Sequence, residues 1–159
     1  MMTSRSDFID LVRVYCDGAC PGKIGPAAIG VVLFDRQWNT LERESHVLGD
    51  ATVNVAEYMA VITGLDLAAA HTRIDVECYT DSDVVAGQLN ARYRLRDRKL
   101  RTLFQRVKDN ERCFDRVTYQ RVPRTDQRLA TAHRLAQDAL NSRPTNNTPS
   151  KADMARMER

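Results

Sequence analysis

The first half of the chain carries short runs of apolar residues with the spacing of β-strands. Residues 11–16 alternate and are rich in β-branched and aromatic side chains, and the Asp17-Gly18 turn signal follows them. Residues 27–34 form a nearly continuous apolar run, and residues 39–48 alternate more loosely. This pattern predicts three consecutive strands that pair as a meander.

The second half alternates between helical and strand patterns. Apolar residues recur at helical spacing over residues 54–70, which hold several alanines and no proline. Strand patterns follow at residues 74–80 and 117–122, and helical patterns at residues 84–90, 97–112 and 126–141. This order predicts a single α/β domain over residues 9–141. Residues 142–159 hold two prolines and few large apolar side chains, which is typical of a disordered tail.

The composition is that of one soluble domain. The chain has 159 residues, of which 43% are hydrophobic and 28% charged. It has no run of about 18 apolar residues that could span a membrane. Residues 1–10 lack the apolar core of a secretory signal, so we expect a cytoplasmic protein. We also expect it to be a monomer that does not bind membranes. The four cysteines are expected to be buried and reduced, because Cys16 and Cys20 have no second pair at zinc-finger spacing.

The positive charge is concentrated rather than large. The formal net charge is +3, which is too small to identify a nucleic-acid-binding protein by itself. Cations nevertheless crowd into one short segment: Arg92, Arg94, Arg96, Arg98, Lys99 and Arg101. Such a run is normally a solvated face, unless a site that acts on phosphate lies nearby.

Three acidic residues lie at consecutive boundaries between the predicted elements. Asp17 follows the first strand, Glu57 falls in the first turn of the first helix, and Asp81 follows the fourth strand. Each has an ordinary explanation by itself, as a turn residue, a helix N-terminal charge and an N-cap. If the first and fourth strands are neighbours, however, the three carboxylates meet and repel one another, so that they require cations. Together they predict a magnesium site.

Four segments carry a resemblance to a known family: YCDGACPGKIGPAAIGVVL, TVNVAEYMAVITGL, YTDSDVVAGQLN followed by YRLRDRKLR, and RVPR with HRLAQDAL. In order and spacing they resemble the type 1 ribonuclease H family, and more closely its compact bacterial and archaeal branch, over residues 12–140. The resemblance implies an α/β fold of the ribonuclease H type, in which helices flank a mixed five-stranded sheet of order 3-2-1-4-5 with strand 2 antiparallel. It also implies an endonuclease that hydrolyses the RNA strand of RNA/DNA hybrids.

The resemblance implies a set of catalytic residues as well. Asp17, Glu57 and Asp81 match the first three catalytic carboxylates of the family, and His133 occupies the position of the fourth. These four side chains would hold two Mg²⁺ or Mn²⁺ ions, and the products would carry 5′-phosphate and 3′-hydroxyl ends. His133 is either a ligand of one ion or a surface histidine on an amphipathic helix.

The resemblance further implies where the hybrid binds. Four residues fall at or next to family positions that contact it: Cys20, Gly22, Asn54 and Ser82. Asn54 matches the position beside the 2′-hydroxyls. Arginines, among them Arg94 and Arg124, are expected to hold phosphates without reading the base sequence. The chain lacks the family's glycine-histidine loop and its basic protrusion, and it has RVPRTDQ and YRLRDRKLR in their place.

Two other functions remain open. The changed fourth ligand is compatible with a catalytically weak or inactive nucleic-acid-binding domain on the same fold, since fold alone does not determine function. A flavodoxin-like regulatory or nucleotide-binding α/β domain is a more distant alternative. It would require a phosphate loop, and CDGACPG matches neither the G-x-G-x-x-G nor the P-loop pattern.

Overall fold

The computed structural model describes residues 8–142, which form a five-stranded sheet and four helices. The strands are β1 (Ile9–Ala19), β2 (Ile24–Phe34), β3 (Thr40–Thr52), β4 (Thr72–Thr80) and β5 (Arg116–Arg121). The helices are α1 (Val53–Ala68), α2 (Asp83–Leu89), α3 (Arg98–Glu111) and α4 (Gln127–Ser142). The predicted tail lies outside the described residues except for Ser142, which is the last residue of α4.

The strand order is β3-β2-β1-β4-β5, as the resemblance implied. β2 is antiparallel to β1 and β3, whereas β1 is parallel to β4 and β4 to β5. Parallel neighbours end at the same edge of a sheet, so the C-terminal ends of β1 and β4 lie side by side. In open α/β sheets this edge is where ligands bind.

Two strands extend further than their sequence patterns predicted. β1 continues to Ala19, because Asp17 and Gly18 pair with residues of β2. β3 continues to Thr52, which pairs with Ile24 at the start of β2. The prediction of a turn at Asp17-Gly18 is therefore wrong. A strand partner satisfies the backbone groups that a turn would have satisfied locally.

The helices cover both faces of the sheet. α1 and α3 lie over the face that holds the larger group of buried apolar side chains, including Val14, Val31 and Tyr58. α4 packs on the other face against β1 and β2, where Tyr15 and Leu129 are buried. A strand covered on both faces needs apolar residues at successive positions, which accounts for the continuous apolar run of β2. None of the four described helices is both long enough and apolar enough to cross a membrane.

The cysteines are free thiols, but they are not all buried as expected. Cys16 and Cys78 are buried in neighbouring strands with their Sγ atoms 3.9 Å apart. Cys20 is half-buried, and Cys113 is exposed. Cys113 lies in the turn between α3 and β5, where the chain runs along the surface, so its environment differs from that of the strand cysteines.

Candidate active site

Three carboxylates gather at the C-terminal edge of β1 and β4. Asp17 comes from β1, Glu57 from α1 and Asp81 from the residue after β4, and each offers an oxygen within 4.8 Å of the others. These are the three acidic residues that the sequence pattern singled out. The structure brings them together in an arrangement that repels itself unless cations or protons neutralise it.

Gly18 determines how closely α1 approaches β1. A Cβ atom at this position would lie 2.6 Å from the carbonyl carbon of Ala56 and 2.7 Å from the backbone nitrogen of Glu57. Glycine therefore permits the approach that carries Glu57 to the sheet edge. Glu57 is the fifth residue of α1, not a first-turn residue as predicted, because the helix begins at Val53 after the N-cap Thr52. Glu57 is thus too far into α1 to serve as a stabilising negative charge at the helix N-terminus.

Burial opposes ionisation of two of the clustered carboxylates, those of Glu57 and Asp81. Asp17 is 1% exposed and Glu57 is 4% exposed. Burial, together with the charges of Asp17 and Asp81, raises the pKa of Glu57 well above its ordinary value. Burial and the charge of Asp17 also raise the pKa of Asp81. The Oδ1 atom of Asp17 is buried and has no hydrogen-bond partner within residues 8–142, so it lacks a compensating cation or donor.

His133 of α4 contacts this cluster. Its Nδ1 atom lies 2.6 Å from Oδ2 of Asp17. Gly30 makes the contact possible, because Gly30 is the β2 partner of Asp17 and a Cβ atom there would overlap the backbone of Ala132 and Ala136 in α4. α4 therefore lies directly on β2 beside Asp17. In the described part of the chain, the mutually close ligand atoms belong to the three carboxylates, and His133 contacts Asp17 from outside that group.

Comparisons with known proteins point to one family. A family model described as reverse transcriptase-like matches residues 15–139. The ribonuclease HI of Halobacterium salinarum is 36% identical over 129 residues, which are 81% of this chain and 64% of that protein. The crystal structure of the ribonuclease H1 from H. salinarum superposes with a TM-score of 0.78 at 35% identity, covering 82% of this chain and 98% of that one. This chain belongs to the type 1 ribonuclease H family.

Two further relatives are similar to this chain over most of the described residues. The N-terminal ribonuclease H domain of a Mycobacterium tuberculosis bifunctional protein superposes with a TM-score of 0.79 at 32% identity, covering 84% of this chain and 95% of that one. The chain spans only 36% of the full length of that bifunctional protein. The LC11 ribonuclease H1, solved in complex with an RNA/DNA hybrid, superposes with a TM-score of 0.75 at 28% identity. The match covers 82% of this chain and 96% of that one.

In this ribonuclease H domain, the residues next to Asp81 leave its carboxylate facing the cluster. Ser82 is the N-cap of α2, since its Oγ atom accepts a hydrogen bond from the Val85 N–H at 3.1 Å. Asp81 is therefore not the N-cap of α2. The Nε atom of Arg124 lies 3.5 Å from Oδ2 of Asp81, and the charge of Arg124 opposes the rise in the pKa of Asp81. Arg124, which the resemblance placed on phosphate, pairs with a cluster carboxylate in the structure.

The other residues that the resemblance placed on the hybrid are not all close to the carboxylates. Cys20 follows β1, and its Sγ atom lies 3.2 Å from the carbonyl oxygens of both Gly22 and Ala51, so its single S–H group donates to one of them. Asn54 is half-buried in the first turn of α1, three residues before Glu57. Arg94 is exposed in the segment between α2 and α3, and the structure does not bring it to the cluster.

Sequence reasoning missed three residues that shape the ribonuclease H site: Gly18, Gly30 and Thr80. Thr80 is 1% exposed, and its Oγ1 atom donates to Oε2 of Glu57 at 3.5 Å. The same atom accepts a hydrogen bond from the Ser82 N–H at 3.0 Å. The available signal was a threonine at the end of a strand directly before Asp81, and that signal is too common to single out a residue.

Proposed function

We propose that this domain is a metal-dependent endonuclease that hydrolyses the RNA strand of RNA/DNA hybrids. One observation carries the proposal. Three carboxylates from different elements converge at one sheet edge, and a buried oxygen of Asp17 has no partner among the described residues. The substrate class is supported by the related LC11 enzyme, which was solved with an RNA/DNA hybrid.

The residues present fit divalent cations that prefer oxygen ligands. Mg²⁺ and Mn²⁺ are bound in proteins mainly by carboxylate oxygens, carbonyl oxygens and water. Burial and the neighbouring carboxylates raise the pKa values of Glu57 and Asp81, and bound cations would favour the ionised form of both groups. We infer that Asp17, Glu57, Asp81 and His133 would hold two such ions. When bound, such a pair supplies an activated water molecule and a stabilised leaving oxygen.

His133 has two ways to contribute. In the structure it binds Oδ2 of Asp17, which leaves Oδ1 as the free acceptor of this carboxylate. A neutral imidazole can ligate one of the ions, or it can keep Asp17 oriented towards them. In either role it carries no negative charge, so the site has one negative charge fewer than a site with four carboxylates. We therefore expect it to hold Mg²⁺ less tightly than an all-carboxylate site does.

The protein's own surface would position the hybrid. Asn54 and Glu57 are three residues apart in α1 and therefore lie on the same helix face. A strand whose 2′-hydroxyls contact Asn54 thus passes the carboxylates. The exposed arginines of residues 92–101 supply contacts to phosphates that do not depend on base sequence. Cleavage at the cluster would leave 5′-phosphate and 3′-hydroxyl ends.

The test is cleavage of four duplexes of one sequence: RNA/DNA, RNA/RNA, DNA/DNA and DNA that contains a single ribonucleotide. Each is incubated with Mg²⁺ and then with Mn²⁺. We expect the RNA strand of the hybrid to be cut and DNA/DNA to stay intact. Asp81→Asn is the inactive control, because it keeps the side-chain volume and removes the charge. Equal cleavage of DNA/DNA by the wild-type chain would contradict the proposal.

A second candidate is a nucleic-acid-binding domain that does not cleave. One observation favours it, because Asp17 and Asp81 already have basic partners in His133 and Arg124, which reduces their demand for cations. The Arg124 side chain is 71% exposed, however, and exposed ion pairs contribute only about 0–1 kcal/mol, so it is a weak competitor for a cation. Binding of the hybrid without cleavage in either metal would establish this second candidate.

A further inference from the structure

A cleft lies beside the carboxylate cluster, one strand further along the sheet. It has a volume of about 270 Å³ and is formed by α2, the segment that follows α2, and the end of β5. Its lining includes Asp83, Asn90, Arg92, Tyr93, Gln120 and Arg121. This volume lies just below the roughly 300 Å³ at which pockets for small molecules start, so the cleft has room for one small group and not for several nucleotides.

Strand register places this cleft next to the candidate active site. Arg121 of β5 is paired with Thr80 of β4, the residue directly before Asp81. Neighbouring strands lie about 4.8 Å apart, and one strand of a nucleic-acid duplex advances about 3.4 Å per nucleotide. A strand whose scissile phosphate lies at the carboxylates therefore reaches the cleft within about one to three nucleotides.

Tyr93 forms a wall of the cleft that is fixed by its surroundings. Its ring lies against Gly87, where a Cβ atom would overlap the ring carbons, and its hydroxyl donates to Oδ2 of Asp83 at 2.8 Å. Ala91 turns the chain back with a left-handed φ of 59°. The backbone N–H groups of Arg92 and Tyr93 then both donate to the carbonyl oxygen of Gly87, at 2.8 and 3.1 Å. A strained backbone of this kind persists only where its surroundings hold it, so the ring is in place before a ligand binds.

The accessible surface of the cleft has the chemistry of a nucleic-acid-binding site. Tyr93 is 47% exposed although its ring is held in place. Arg92 and Arg121 are exposed, and neither forms an ion pair with a carboxylate of residues 8–142. The single acidic residue of the lining, Asp83, accepts the hydrogen bond from the Tyr93 hydroxyl. An aromatic face accompanied by arginines stacks bases and binds phosphates without strong sequence preference.

We propose that this cleft binds an unpaired nucleotide that flanks the hybrid, with its base stacked on Tyr93 and its phosphate held by Arg92 and Arg121. A base inside a duplex is already stacked between its neighbours, so its flat face is not available to Tyr93. The occupant is therefore a nucleotide at a duplex end or junction. This inference rests on the proposed function and deepens it, because it gives the enzyme a preference for hybrids with a single-stranded extension near the cut.

The test uses a short overhang that contains 2-aminopurine, a fluorescent base whose emission falls when it stacks. Hybrids with the overhang at each end of either strand are titrated with the full chain carrying Asp81→Asn, which prevents cleavage. We expect one overhang position to be quenched. Adding Tyr93→Ala should remove most of this quenching and weaken binding of that hybrid at least about fivefold, the weaker limit of base–aromatic stacking.

Two control variants separate stacking from other effects. Tyr93→Phe keeps the ring and lacks the hydroxyl that donates to Asp83, so it should retain most of the quenching. Arg116→Gln changes an arginine at the opposite end of β5 that pairs with Asp75 at 3.4 Å, and it should bind as the parent does. Thermal unfolding of each variant shows whether the fold is kept.

The outcomes distinguish this proposal from the proposed function. Equal quenching with and without Tyr93→Ala, or quenching at no overhang position, overturns the cleft proposal if the blunt hybrid still binds. Failure of the blunt hybrid to bind at all overturns the proposed function as well. Adenosine monophosphate is titrated separately. If it binds as tightly as the overhang does, the cleft is a site for free nucleotides and the assignment to a strand is wrong.

Discussion

Replacement of His133 by alanine tests the residue at which this site departs most from its family. The substitution removes the hydrogen bond between Nδ1 and Oδ2 of Asp17, whose other oxygen is already buried without a partner. A hydrogen bond to a charged group contributes about 1.5–3 kcal/mol. If that energy is needed to hold Asp17 in its catalytic position, the cleavage rate in Mg²⁺ falls by about 10- to 150-fold.

A second substitution separates the two roles that His133 can have. If His133 ligates an ion, nitrogen ligation favours Mn²⁺ relative to Mg²⁺, and His133→Asp should shift the preference towards Mg²⁺. If His133 only orients Asp17, His133→Asp places another negative charge next to Asp17 and should slow cleavage in both metals. The ratio of the rates in the two metals therefore identifies the role.

The assay measures initial rates on a labelled RNA/DNA hybrid in Mg²⁺ and in Mn²⁺, from about pH 6 to about pH 9. His46→Ala is the matched control, because His46 is an exposed histidine of β3 that pairs with Glu44 at 3.1 Å. Thermal unfolding shows that each variant is folded. If His133→Ala matches the wild type in both metals over this whole range, the reasoning is refuted and the site works with three carboxylates.

Three further predictions concern the geometry and the charge of the cluster. Gly30→Ala should slow cleavage by about 100-fold, because the new methyl group displaces α4 and a misplacement of about 1 Å can have that effect. Gly25→Ala is the control, since a Cβ atom at Gly25 has open space. Equal cleavage rates for the two variants would contradict the prediction. Glu57→Gln should stabilise the metal-free protein above pH 4.5, because burial raises the folded-state pKa of Glu57 and the wild type loses stability as pH rises from 4.5 through that pKa. An unchanged melting temperature of Glu57→Gln at neutral pH would argue against this. Asp81→Asn should lose at least about nine-tenths of the activity, or about 1.4 kcal/mol of transition-state stabilisation, with the fold kept, and a more active variant would show that Asp81 is not essential.

The order of the elements and the sheet topology were predictable because they follow from short-range patterns and from family motifs. The gathering of Asp17 and Asp81 was also predictable, since parallel neighbours end at the same sheet edge. The resemblance placed His133 beside the cluster, but no local pattern indicates its contact with Asp17, because that contact joins residues 116 positions apart and depends on the absence of a side chain at Gly30. The Asp17-Gly18 pair misled for a related reason. The two residue types together are typical of a turn, but both residues pair with β2 and therefore continue strand β1.

The partners of Asp81 illustrate the same limit. The sequence alone allowed Asp81 to be the N-cap of α2. The N-cap is the next residue, Ser82, so the Asp81 carboxylate is not used in capping. Arg124 was expected on phosphate because of its place in the family pattern. Its contact with Asp81 depends on the course of the chain after β5, which no local pattern determines.

The most direct test of the central claim is to cut a hybrid with this chain and to identify the ends of the products by mass spectrometry. The account predicts RNA fragments with 5′-phosphate and 3′-hydroxyl ends, formed in Mg²⁺ or Mn²⁺, with the DNA strand intact. No fragments should form in EDTA or with Asp81→Asn. Fragments with 2′,3′-cyclic phosphate ends, or equal cleavage in EDTA, would contradict the account, because such ends arise from attack by the RNA's own 2′-hydroxyl and not from attack by water at the carboxylate cluster.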